Sequence, residues 1–233
     1  MLLGFFDRIS VINLPERTDR RREIESALRS IHIDPRDPRV EFFAARKPAR
    51  KDDWPSLGAR GCFLSHSAIL RDARDRRLAN ILIAEDDCEF APALADSQGR
   101  IVQALAGQHW DIVYLGHVEP VAPNGAFSLI RWTEPLMTAH LYAVNRSILD
   151  RLVAFLELVE RRPEGHLLGG PQHYDGALSM FRAQNPDVVT LIAAPNMAFQ
   201  RSSSSDVSAR WFDKMPGLNH LTNRMRRVIR RRR

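Results

Sequence analysis

Three consecutive carboxylates, Glu85-Asp86-Asp87, follow directly on the apolar run Ile81-Leu82-Ile83-Ala84. Such a run suits a strand buried on both faces, the kind found in a parallel sheet. The end of that strand is a costly place for three negative charges, which repel one another and lose solvation on burial. A hard divalent cation bound by carboxylate oxygens would settle the charge. A solvated acidic turn is the alternative, and this stretch alone does not separate the two.

Other groups could act with it. Asn13-Leu14-Pro15-Glu16-Arg17-Thr18-Asp19-Arg20-Arg21-Arg22 sets four arginines around a helix start. Backbone amides and guanidinium groups in that position suit a phosphate, although a solvated basic helix start looks the same. Paired with a carboxylate cluster for a metal, it supplies what a nucleotide diphosphate needs. Gly58-Ala59-Arg60-Gly61-Cys62-Phe63-Leu64-Ser65-His66 enters a helix through a close turn. There His66 falls on the apolar stripe, as a core histidine would, and Ser65 is a helix hydroxyl. His140 and His173-Tyr174-Asp175 are the remaining titratable candidates. An aspartate at the mouth of a site can take a proton from an incoming hydroxyl. An acidic residue in a first helical turn is also favoured by the helix dipole.

The elements that must position these groups are readable from periodicity. Ile9–Leu14 predicts a first strand. Ile24, Ala27, Leu28 and Ile31 predict an amphipathic helix. Val40–Ala44 predicts a second strand, and 46–55 a loop. A helix is expected over about 59–78, then the strand leading to Glu85. A short helix around Ile101–Leu105 ends at Gly107, and a strand is expected over Asp111–Leu115. Weaker strands are expected at 127–132 and 139–144. A strong helix follows at 148–159, then a glycine- and proline-bearing loop, a helix over Tyr174–Gln184 and a strand over Val188–Ala194. Strands alternating with helices predict an α/β sandwich with a mostly parallel sheet. Ligands in such sheets bind at the carboxyl ends of strands, where both the acidic cluster and the Pro15–Arg22 turn fall.

Composition sets the bounds. The 233 residues, 44% apolar and 27% charged, are ordinary for a globular protein. Two cysteines, Cys62 and Cys88, exclude a disulfide framework and a cysteine-only zinc site. The net charge of +6 belongs to the tail: without the seven arginines of Arg224–Arg233 it becomes −1. Leu218, Leu221, Met225 and Val228 among them are spaced as on a basic amphipathic helix, which could lie on an anionic membrane. A disordered basic end, or one that meets nucleic acid, has the same composition. No stretch approaches the roughly 20 apolar residues of a membrane span. The expectation is a cytoplasmic location, at most peripheral on the inner face of the cytoplasmic membrane.

Taken in order, these pieces resemble glycosyltransferase family 25, which includes bacterial lipopolysaccharide and lipooligosaccharide sugar transferases. The resemblance rests on Val11-Ile-Asn-Leu-x-x-Arg17-x-Asp-Arg20-Arg21, on Gly61-Cys62-Phe63-Leu64-Ser65-His66, and on Ile83-x-Glu85-Asp86-Asp87. It rests more loosely on Tyr174-Asp175 and on Pro195 to Gln200 followed by Ser205-Asp206-Val207. One departure is Ala59, where the family usually carries an acidic residue.

The resemblance implies a GT-A-like nucleotide-diphospho-sugar transferase fold, a mixed, mostly parallel sheet sandwiched by helices. It implies a glycosyltransferase domain over residues 1–213, with 214–233 as the basic amphipathic or disordered tail. The implied activity is a metal-dependent inverting transfer of a hexose, usually galactose, from a UDP-sugar to a lipopolysaccharide-type or other surface-glycan acceptor, including a lipid-linked one. Asn13, Leu14, Arg17, Arg20, Ser65, His66, Glu85 and Asp86 are then the nucleotide-sugar contacts. Glu85 and Asp87 hold Mn²⁺ or Mg²⁺, since residues two apart on an extended chain point to one side. Asp175 is the expected base, with His140 in reserve. Rival readings are transfer to modified DNA or to protein, an inactive nucleotide-sugar-binding protein, and a two-carboxylate phosphoryl transferase, for which a second carboxylate-bearing strand end is lacking.

Overall fold

The structure is a computed structural model that describes residues 1–201. The serine run, Ser205-Asp206-Val207, the boundary at residue 213 and the Arg-rich tail lie outside the described residues. The chain forms α1 (Leu2–Phe5), β1 (Arg8–Asn13), α2 (Thr18–Ser30), β2 (Val40–Ala44) and α3 (Leu57–Asp75). There follow β3 (Asn80–Glu85), β4 (Cys88–Phe90), α4 (Pro92–Ala106), β5 (Ile112–Gly116), β6 (Ser128–Arg131) and β7 (Leu141–Asn145). The last elements are α5 (Arg146–Arg161), α6 (Tyr174–Gln184), β8 (Thr190–Ala194) and β9 (Ala198–Gln200).

Among the described residues the strands make one nine-stranded mixed sheet, in the order β2-β1-β3-β7-β5-β8-β6. β2, β1 and β3 run parallel, as do β5 and β8. β7 runs against β3 and β5, and β6 against β8. The sheet is therefore mostly of one direction, as expected. β4 pairs antiparallel with β9, and β9 touches the end of β5 at Gly116↔Ala198.

Alternation along the central strands explains the layers. Ile81, Ile83, Ile112, Tyr114, Tyr142 and Val144 face one core with residues of α3, α5 and α6. Leu82, Ala84, Val113, Leu115, Leu141 and Ala143 face the other with residues of α1, α2 and α4. Both faces are covered, which is why these strands read as continuous apolar runs. No helix among the described residues is long and apolar enough to cross a membrane.

Four elements differ most from the sequence expectation. α4 begins at Pro92, well before Ile101, because proline is pre-organised for a first helical position. α3 begins at Leu57, where Ser56 accepts a hydrogen bond from Ala59 N at 3.0 Å. β4 and β9, three residues each, are too short for a periodic signal and exist through their mutual pairing.

Gly61 shows how tightly the loop before α3 is seated. A Cβ there would lie 2.6 Å from the carbonyl oxygen of Arg46. Gly61→Ala is expected to cost about 1–3 kcal/mol through this overlap, read as a lower urea midpoint with unchanged slope. Wild-type stability in that variant would show that the loop is free to move away.

Candidate active site

The parallel pairing of β1 and β3 aligns Ile12 with Glu85. Asn13 and the acidic turn therefore share one end of the sheet, at the carboxyl ends of both strands. There the three carboxylates separate. Asp86 is buried, and its two oxygens accept from Asn13 Nδ2 at 2.8 Å and from Arg20 Nη1 at 3.0 Å. This ties β1, the start of α2 and the acidic turn together.

Glu85 turns the other way. Its Oε1 accepts from His66 Nε2 at 3.2 Å and lies 3.8 Å from Cys62 Sγ. Its Oε2 meets Gln200 Nε2 at 3.3 Å, and the same amide reaches Asp87 Oδ2 at 3.3 Å. Glu85 and Asp87 thus approach one point from neighbouring positions, with Arg20 Nη1 4.0 Å from Asp87 Oδ2. Asp87 Oδ1 is buried with no hydrogen-bond donor among the described residues. Burial first, and then the charge of Glu85, push the Asp87 carboxyl up to about 6. Burial acts to raise Glu85, but the hydrogen bond and charge of His66, with His140 and Cys62, together outweigh it and hold Glu85 below its usual value.

Behind Glu85 runs a chain of hydrogen bonds. His66 is fully buried, stacks on Tyr174 with ring centroids 4.1 Å apart, and meets the Tyr142 hydroxyl at 3.0 Å through Nδ1. The Tyr142 and Tyr174 hydroxyls are 2.7 Å apart. Tyr174 opens α6, and the next residue is Asp175. Asp175 is partly buried, and its Oδ1 accepts from Gly176 N at 2.8 Å. Burial pushes the Asp175 carboxyl up, against that hydrogen bond, and the charge of Glu85 adds to the rise. Asp175 is thus close enough to the acidic turn to feel it.

Residues 6–119 match Glycosyltransferase family 25 (LPS biosynthesis protein). This segment, just under half of the chain, is similar to glycosyltransferase family 25. The chain is 30% identical over 129 residues to the human "Inactive glycosyltransferase 25 family member 3", covering 48% of this chain and 22% of that one. It is also 30% identical over 129 residues to "Procollagen galactosyltransferase 1-A" of Xenopus laevis, covering 48% and 21%. The chain thus spans only about a fifth of the length of these curated relatives. A glycosyltransferase involved in glycosylation of the major capsid of PBCV-1 aligns over 81% of this chain and 82% of its own, at 12% identity and a TM-score of 0.48.

Within the family 25 segment and beyond it, the structure sorts the expected contacts. Asn13, Arg20, Glu85, Asp86 and Asp87 are brought together. Leu14 and Arg17 lie at the rim, where Leu14 O accepts from Arg17 N at 2.8 Å and Arg17 pairs with Asp19 at 2.7 Å. Two expectations need correction. Ser65 and His66 have no exposed surface and cannot meet a nucleotide sugar directly. Ser65 instead donates to Gly61 O at 2.6 Å and accepts from Arg46 N at 2.8 Å, which pins the 46–55 loop to α3. His140 is also interior: Nε2–H donates to Ala198 O at 3.1 Å, and Nδ1 is buried without a partner. As placed, it cannot take a proton from an incoming hydroxyl. Sequence reasoning missed Tyr142 and gave Gln200, Tyr174 and Cys62 no individual role. Gln200 stood in the closing pattern and Tyr174 beside Asp175, but only the fold reveals their partners.

The residues present fit a hard divalent cation. Glu85 and Asp87 offer carboxylate oxygens on one side, and Asp87 Oδ1 is a buried acceptor with no donor among the described residues. The division of the turn has an energetic signature. In chelator, Asp86→Ala is expected to lose about 3 kcal/mol, because Asn13 and Arg20 both lose the buried carboxylate that they share. Asp87→Asn is expected to hold or gain stability by removing repulsion from Glu85. Equal losses in the two variants, measured by urea unfolding, would contradict this assignment.

Proposed function

We propose that the protein is a metal-dependent inverting glycosyltransferase that moves a hexose from a UDP-sugar to a hydroxyl of a surface-glycan acceptor. The observation that carries this reading is the Glu85–Asp87 pair at the carboxyl edge of the sheet, within the electrostatic reach of Asp175 and inside a family 25 segment. The relatives named procollagen galactosyltransferases favour galactose as the hexose. The family's description as an LPS biosynthesis protein favours a lipopolysaccharide-type, lipid-linked acceptor. An anionic membrane at the cytoplasmic face would suit the Arg-rich tail.

Each residue then has a task. The start of α2, with Arg17 at its rim, offers positive charge to the donor diphosphate. Asp86 holds Arg20 and Asn13 in place and so shapes that surface. Glu85 and Asp87 would hold Mn²⁺ or Mg²⁺, which when bound offsets the charge that develops on the departing diphosphate. Asp175 takes the proton of the acceptor hydroxyl as that oxygen forms its bond to the anomeric carbon. The bond from that carbon to the diphosphate oxygen breaks on the opposite face, the electron pair leaves with the nucleotide, and configuration inverts. A raised Asp175 carboxyl is the better base, because its proton affinity is closer to that of its task.

A second reading is a nucleotide-sugar-binding protein without turnover. Several matched relatives are named inactive, and the intact Glu85-Asp86-Asp87 sequence speaks against it here. Kinetics separate the two. UDP-hexoses at 100 times their dissociation constant should stabilise the protein by about 2.7 kcal/mol when Mn²⁺ or Mg²⁺ is present, and Asp87→Ala should lose that gain. Asp175→Asn should keep the donor-induced shift yet turn over roughly 10²–10⁴-fold more slowly. Metal-independent stabilisation, or normal turnover of Asp175→Asn, would overturn the corresponding assignment.

A further inference from the structure

Cys62, His66 and Glu85 bring a thiol sulfur, an imidazole nitrogen and a carboxylate oxygen within 4.8 Å of one another. Cys62 and His66 are four residues apart on α3 and share a helix face. Glu85 comes to them from the end of β3. These three atoms are not the oxygen pair assigned above. The Cys62–His66 side uses Glu85 Oε1, whereas Gln200 and Asp87 lie on the Oε2 side.

The two separations to Glu85 Oε1 are close to the edges of a coordination polyhedron. With Zn–N and Zn–O near 2.0 Å and Zn–S near 2.3 Å at tetrahedral angles, the N···O and S···O edges should be about 3.3 and 3.5 Å. The observed separations are 3.2 Å for His66 Nε2 to Glu85 Oε1 and 3.8 Å for Cys62 Sγ to Glu85 Oε1. The outer support is also present. His66 is held by stacking on Tyr174, and its Nδ1 meets the Tyr142 hydroxyl, which continues to Tyr174. An imidazole fixed through its second nitrogen is a hallmark of ligating histidines. His66 is fully buried, and Cys62 and Glu85 are only partly so, which leaves an approach from their side.

We infer that Cys62, His66 and Glu85 form a site for a thiophilic divalent cation of the Zn²⁺ class, beside the oxygen-only pair and sharing Glu85 with it. On binding, the Cys62 thiol proton is released to solvent. The imidazolium proton on Nε2 is released to solvent as well, and Nδ1–H donates to the Tyr142 hydroxyl. The ion replaces both hydrogen bonds to Glu85 Oε1 with bonds to itself. The sulfur and nitrogen donors select this class of ion, while Mn²⁺ and Mg²⁺ prefer Glu85 and Asp87. A zinc-class ion also engages Glu85 and so opposes the hard cation; this consequence rests on the function proposed above, whereas the site itself does not.

Co²⁺ is the probe, because it reports a thiolate ligand by colour. The full chain, freed of metal by chelator, should bind a single equivalent of Co²⁺ with an intense sulfur-to-cobalt charge-transfer band in the near ultraviolet. Cys62→Ser should lose that band, and Cys88→Ala should keep it, with circular dichroism checking that both variants fold. Co²⁺ bound without the charge-transfer band, or with a band that survives Cys62→Ser, would overturn the site. Zn²⁺ should also suppress the Mn²⁺-dependent UDP-hexose thermal shift several-fold in the wild type and not in Cys62→Ser. An unaffected shift would overturn the antagonism. If no Mn²⁺-dependent shift occurs at all, the proposed donor chemistry fails while the cobalt band still decides the site.

Discussion

The acidic turn after β3 concentrates three negative charges where the sheet leaves little water to solvate them, and much of the surrounding structure is set by how each charge is met. Asp86 is answered inside the protein by Arg20 and Asn13. Glu85 is answered by His66 on one oxygen and by the Gln200 amide on the other. Asp87 shares that amide, stands at the limit of ion-pair distance from Arg20, and keeps a buried oxygen with no donor. Among the described residues this last charge is the one left incompletely met. An unanswered carboxylate costs stability in the absence of a ligand, and proteins tolerate such costs where a ligand relieves them.

The same constraint explains why distant parts of the chain converge. The antiparallel β7 places Tyr142 under His66, and α6 is seated so that Tyr174 closes the hydroxyl chain. A buried polar network is favourable only when its members are satisfied, and from Glu85 through His66 and Tyr142 to Tyr174 each polar atom has a partner. β9 returns at the end of β5 and brings Gln200 to the turn. Its three residues contribute little to the sheet, yet they carry the amide that Glu85 and Asp87 share.

Much of this was legible in the sequence for a simple reason: β3, β5 and β7 are covered on both faces, so burial wrote itself as unbroken apolar runs. Val40–Ala44 and Tyr174–Gln184 were read with their observed bounds. Glu85 and Asp87 lie apart from Asp86 as expected, but Asp86 and Asp87 form a turn, so their tertiary partners rather than strand alternation set that division. What was not legible depends on tertiary pairing. Three-residue strands such as β4 and β9 carry no period. Ser65 and His140 have the chemistry of site residues, and only burial shows that they brace the walls. Gln200 carries no charge to draw notice, and its partners lie 113 and 115 positions away.

The environments of the carboxylates also divide the chemistry among them. Against burial, His66 together with His140 and Cys62 holds Glu85 below its ordinary range, so it stays charged and available to a cation. Asp175 is pushed above its range by burial, with the Glu85 charge adding to the effect. Two acids whose surroundings drive them apart mark distinct roles. The one that stays ionised suits binding, and the one that holds its proton more tightly suits proton transfer. The coupling also has a direction: a cation that neutralised Glu85 would remove part of what raises Asp175. On the proposed mechanism, cation and donor binding therefore tune the base as well as the leaving group. Burial, the larger cause of the Asp175 shift, remains to keep it basic once the metal is in place.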